Sequence, residues 1–149
     1  DGMHRFRRMT EITEVRKEWE ESPLKEGGFV NLMEYTGKDD QLRPTETLLN
    51  GDSEIIKRIA SLVKEWHNDW DAVWDNINLR AKMKDTIVKY AEQLKRPELL
   101  EAEWIIRLNE NFHLILESMR NEMGAAEARR VYAEWLKWFR ESLAVKRGV

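Results

Sequence analysis

From residue 53 onward, apolar side chains recur every three or four positions, the period of one helix face. Ile55, Ile56, Ile59, Leu62, Val63 and Trp66 form a first stripe. Val73, Trp74, Ile77, Ala81, Ile87, Val88, Ala91 and Leu94 form a second. Leu100, Trp104, Leu108, Phe112, Ile115 and Met119 form a third, and Ala128, Val131, Tyr132, Trp135, Phe139 and Leu143 a fourth. The polar punctuation agrees with four helices. Asp52 or Ser53 can cap the first by accepting a bond from an orphaned N–H, and Asn68 or Asp69 can cap the second. Pro97 opens the third, where its missing N–H costs nothing, and Gly124 closes it.

The first fifty residues obey another rule. "RRMTEITEV" (7–15) mixes β-branched and polar positions, and "GFVNLMEY" (28–35) sets Phe29, Asn31, Met33 and Tyr35 against Val30, Leu32 and Glu34. Both fit half-buried strands. Pro23 and the Gly27-Gly28 pair between them predict a loose, exposed connection, and residues 36–52 read as turns. The expected fold is mainly α: a short N-terminal antiparallel β pair followed by a bundle of about four helices. The strand pair and its loops span 3–49 and the helical domain 50–149, together one compact unit. A two-stranded pair alone is marginal in water, so it must lean on helices or on another chain.

Composition narrows the class. With 149 residues the chain can bury a real core, and its charged share of 36% suits long solvated helices. The net charge of −3, with signs mixed throughout, lacks the basic footprint of a nucleic-acid binder. The absence of cysteine excludes disulfides and thiolate metal sites. No apolar run approaches the roughly 20 residues that span a bilayer. The opening "DGMHRFRRM" has basic residues without an apolar run, which argues against a secretory signal peptide. These features predict a soluble, mildly acidic domain.

Candidate chemistry is thin. A P-loop needs G-x-x-x-x-G-K-[ST]; the Gly37-Lys38 pair is followed by Asp39, and Leu32 stands where the first glycine belongs. No G-x-S-x-G motif or cysteine nucleophile is present. Glu110 and His113 have the Glu-x-x-His spacing of di-iron bundles, but that chemistry needs a second such pair and two further glutamates. His67, Asp71 and Asp75 would line up as oxygen and imidazole ligands only on an unbroken helix. The residues by themselves read as a non-enzymatic helical module with no cofactor or metal.

"EWHNDWDAVWDNI" (65–77) spaces three tryptophans four residues apart, at Trp66, Trp70 and Trp74. A helix break at Asn68-Asp69 would bring them together at a corner, each burying on the order of 200 Å². The aspartates would then sit at the positive end of a helix. Core plus capping accounts for every residue in the stretch; a partner-binding surface is the other reading.

"RRMTEITEV" resembles the strand that comes after the nucleotide-binding core in type II/IV secretion-system ATPases, the motors of pilus, archaellum and conjugation machines. The segment from Phe29 to Met83 resembles the next part of the archaeal members: a short strand, a turn, and a Ser-initiated helix. A second helix there carries a pattern seen here as Val73, Trp74, Ile77, Arg80 and Ala81. The likeness covers residues 5 to about 95. It implies a C-terminal domain of such an ATPase, or a stand-alone relative, serving ring assembly and force transmission in protein secretion or pilus assembly. The family's ATP-binding elements lie upstream of the matching region, so no catalytic residue carries over. The implied partners are the ATPase core domain, neighbouring subunits of a hexameric ring, and an integral-membrane platform protein. The implied place is the cytoplasm, at the inner face of the membrane.

Four apolar residues fall off the stripes, namely Ile105, Ile106, Leu136 and Trp138, and are the candidate interaction surface. The competing readings are a free-standing helical adaptor and, more remotely, a metal-dependent bundle enzyme built on Glu110 and His113.

Overall fold

The computed structural model describes residues 6–124 and 126–145; residues 3–5 of the expected N-terminal unit lie outside them. The chain is mainly α, with 59% of the described residues helical, and has a small antiparallel sheet followed by helices. It divides into two compact units, Asp1–Trp70 and Asp71–Val149, so the short helices before Trp70 go with the sheet.

In the first unit, β1 (Glu11–Val15) and β2 (Phe29–Thr36) pair as expected, and a third strand, β3 (Gln41–Pro44), joins the far side of β2. The turn residues hide β3 in the sequence. Asp39 and Asp40 reverse the chain, with Asp40 in the left-handed region, and the strand is only four residues long, with Pro44 as its last. The register also corrects the expected alternation. Thr13 faces Asn31 but Ile12 faces Met33, so the ladder skips Leu32. This bulge puts Leu32 and Met33 on the same side. The inward face therefore carries Glu14, Leu32, Met33 and Tyr35. Thr13, Asn31, Glu34 and Arg43 face outward, with Val15 and Phe29 as an exposed apolar pair at one end.

The connection between β1 and β2 is exposed but not loose. The Glu26 carboxylate accepts the N–H groups of Glu20, Glu21 and Ser22, each at 2.9 Å. Gly28 leaves no room for a side chain, because a Cβ there would meet Pro23 at 2.7 Å.

After β3 come α1 (Glu46–Leu49), capped by Thr45, and α2 (Glu54–Ala60), capped by Ser53. The first expected helix is thus shorter than its stripe. After Ala60 the chain turns and makes only a 3₁₀ turn at Lys64–Trp66, and Asn68 breaks the path with φ +58°. Gly51, at φ +77°, lets the Trp70 indole lie close: a Cβ there would sit 2.8 Å from the ring. The Trp70 indole N–H donates to the Leu49 carbonyl at 3.0 Å.

The second unit has three long helices, α3 (Trp70–Gln93, beginning at the last residue of the first unit), α4 (Ala102–Met123) and α5 (Ala128–Val145). Pro97 opens a 3₁₀ turn before α4 rather than α4 itself. Gly124 ends α4 in the left-handed conformation, as expected. One core unites the three helices. Leu79, Met83, Ile87 and Ala91 of α3 meet Trp104, Leu108, Phe112 and Leu116 of α4 and Val131, Trp135, Phe139 and Leu143 of α5. Trp135 stacks on Phe139 with centroids 5.3 Å apart, and its indole N–H donates to the Leu108 carbonyl at 3.2 Å. The stripe of α5 is as expected. That of α3 is as expected at Val73, Ile87 and Ala91, but Leu79 and Met83 are buried too, while Ala81, Val88 and Leu94 are exposed. Leu99 is fully buried in place of the expected Leu100.

Candidate interaction surface

Within the first unit, one buried charge organises the site. Glu14 points inward from β1 and is only 3% exposed. Its carboxylate accepts the Ser53 hydroxyl at 2.6 Å and the N–H groups of Glu54 and Ile55 at 3.0 and 3.2 Å, and Arg16 Nε lies 3.4 Å away. Ser53 in turn accepts the Ile56 N–H at 3.2 Å. Burial pushes the Glu14 carboxyl up, but the bonds from Ser53, Ile55, Glu54 and Arg16 outweigh it and hold it below its ordinary value. The anion sits at the positive end of α2 and ties that helix to the sheet. Arg16 also donates to the Asp52 carbonyl at 2.8 Å. Far along the sheet, Arg8 makes a fork to Asp40 at 2.6 and 2.8 Å, and the Tyr35 hydroxyl donates to Asp40 at 2.9 Å.

With α2 pinned by its N-terminus, part of its apolar stripe is left uncovered. Ile55, Ile59 and Leu62 are 51%, 54% and 84% exposed. Ile55 and Ile59, one turn apart on α2, and Leu62 in the turn after it leave three large aliphatics uncovered within eight residues, and exposed apolar groups that gather into a patch mark interfaces. The stripe predicts them in a core. It holds as a pattern, but a helix this short needs a covering element, and periodicity does not say whether one exists.

β1 supplies a second feature. It is an edge strand, and Arg16 N–H donates inward to the Gly28 carbonyl at 2.7 Å. By the alternation of an antiparallel ladder, the N–H groups of Thr13 and Val15 point outward. The opposite edge, β3, is short and ends in Pro44, which blunts it.

The four residues expected as one patch are placed differently. Ile105 and Ile106 on α4 are 39% and 58% exposed, whereas Leu136 and Trp138 on α5 are partly buried against the core. The Arg107 guanidinium lies over both the Trp104 and Trp138 rings, at 5.3 and 5.8 Å. Among the family-pattern residues, Val73 is buried, Trp74 and Ile77 are half-buried, and Arg80 and Ala81 are exposed. Trp66 and Trp70 are half-buried too, so the tryptophans expected in a core corner each keep part of their surface exposed.

The break at Asn68 removes His67 from α3, so His67, Asp71 and Asp75 do not share a helical row. Among the described residues, no three histidine, aspartate or glutamate side chains converge as metal ligands, and this holds at Glu110 and His113. No helix among them is long and apolar enough to cross a membrane. No protein-family model matches the chain, and no curated protein or solved structure does.

Proposed function

We propose that this chain is a non-catalytic docking module of a secretion motor: the C-terminal domain of a type II/IV secretion-system ATPase, or a stand-alone relative of it. The observation that carries the docking role is the uncovered apolar group of Ile55 and Ile59 on α2 and Leu62 in the turn that follows it. The resemblance of residues 7–15 and 29–83 supplies the identity of the partner. In this reading the row and the β1 edge bind the ATPase core or its neighbour in the ring. The module works at the cytoplasmic face of the membrane and passes motion toward a platform protein.

Affinity capture from source-cell extract tests the proposal, with the wild-type chain and an Ile59→Asp/Leu62→Asp variant as baits. The expected result is a P-loop ATPase of the secretion class, identified by mass spectrometry, recovered with the wild type and lost with the variant. Both positions are exposed, so the variant keeps its fold. Recovery of no such ATPase, or equal recovery with the variant, rejects the motor reading. The self-contained core of residues 79–143 favours the second reading, a free-standing helical adaptor. An immunoblot separates the two: a band several times heavier than 17.8 kDa places the domain on a full-length motor.

A further inference from the structure

We propose that the seam between α3 and α4 docks an acidic segment of a partner protein, one that seats an apolar side chain flanked by carboxylates. The seam opens into a cavity of about 70 Å³ whose walls include Met83, Ile87, Phe112 and Trp135, with Ile105 beside them. Such a volume holds little more than two waters, and apolar walls give those waters few partners. A short aliphatic side chain replaces them at a gain. Arg80 and Lys84, one turn apart on α3, line the same opening. The Arg80 guanidinium lies 5.9 Å from the Phe112 ring centroid, which holds its charge over the cavity. Among the described residues neither cation has a carboxylate at salt-bridge distance, whereas Lys89, farther along the helix, is paired with Asp85.

Arg80 and Lys84 set two positive charges at the rim of an apolar opening, on a chain whose net charge is −3. An apolar pocket ringed by one sign of charge selects a ligand with an apolar anchor and the opposite sign around it. A basic or neutral segment fills the cavity but leaves the cations uncompensated. This site lies in the helical unit and does not depend on the row on α2.

The test is methyl NMR of the full chain, ¹³C-labelled at isoleucine and methionine, titrated with three probes: acetyl-EDLDE-amide, acetyl-EDGDE-amide and acetyl-KRLRK-amide. The leucine-centred acidic peptide is expected to shift the Met83, Ile87 and Ile105 methyls saturably. Binding weakens at least fivefold for the glycine-centred peptide and for an Arg80→Ala/Lys84→Ala variant, and the basic peptide leaves these methyls unmoved. The Ile59→Asp/Leu62→Asp variant binds the acidic peptide as the wild type does. The proposal is overturned if acetyl-EDLDE-amide leaves the three methyls in place, if acetyl-KRLRK-amide moves them equally, or if the double alanine variant binds as tightly as the wild type.

Discussion

Glu14 sits on a strand position that faces inward, where an ionised carboxylate is costly to bury unless hydrogen bonds and a cation surround it. Ser53, two backbone N–H groups and Arg16 supply them. Replacing one partner leaves the others buried and unsatisfied, so Glu14→Gln is expected to cost about 2–4 kcal/mol, read as a lower urea midpoint at unchanged slope. The folded carboxyl titrates below its ordinary value of 4.5. Its contribution is therefore complete above pH 4.5 and is lost as pH falls through the folded value; Glu14→Gln makes the acid limb of the stability curve shallower. Asp40 offers a cleaner reading. The bonds from Arg8 and Tyr35 lower its carboxyl from 3.8 to about 2, so a carboxyl-carbon NMR titration should find it there. In Arg8→Ala the midpoint rises toward 3.8. Stability linked to Asp40 is present above pH 3.8 and fades toward pH 2.

At the scale of elements, the distinction is between helices covered on one face and helices that are not. Trp135 is fully buried, stacked and hydrogen-bonded. Trp135→Ala is therefore expected to cost about 3–5 kcal/mol in chemical denaturation, far more than a substitution at Ile59. Two glycines separate space from strain. Gly27 and Gly51 both have positive φ, but a Cβ at Gly27 meets nothing, while at Gly51 it strikes the Trp70 ring. Gly51→Ala should therefore lower the melting temperature more than Gly27→Ala does. Periodicity places Val131, Trp135, Phe139 and Leu143 on the covered face of α5, but leaves off Leu136 and Trp138, which also pack against the core. On α3 it finds Val73, Ile87 and Ala91 but misses Leu79 and Met83. Val88 and Leu94 are as apolar as Met83, and only the positions of α4 and α5 decide which row is covered. β3 reads as a turn because four residues ending in proline carry too little pattern to outweigh the aspartates and glycine before them.

At the scale of the whole molecule, the long helices contain a complete core between residues 79 and 143. The first unit has few buried apolar groups, chiefly Leu32, Leu48 and Ala60, around the Glu14–Ser53 pair. A fragment of residues 71–149 is therefore expected to stay helical and unfold cooperatively by circular dichroism, and a fragment of residues 1–70 to be marginal, as small sheets are. A disordered 71–149 fragment would show that its core depends on the rest of the chain.

What the sequence determined by itself is the local grammar: strand then helix, a cap at Asp52 or Ser53, a break at Asn68-Asp69, the left-handed close at Gly124, and the central row of the covered face of α5. Each arises from torsion preferences, capping bonds or a side-chain period that act within a few residues. What only the tertiary structure decided is which apolar groups are covered. Ile55, Ile59 and Leu62 carry the same signal as Trp135 and Phe139, yet α2 stops after two turns with its outer face open, while α3, α4 and α5 close on one another. Burial depends on a neighbour distant in the chain, and so does the pairing of Glu14 with Ser53 across 39 positions.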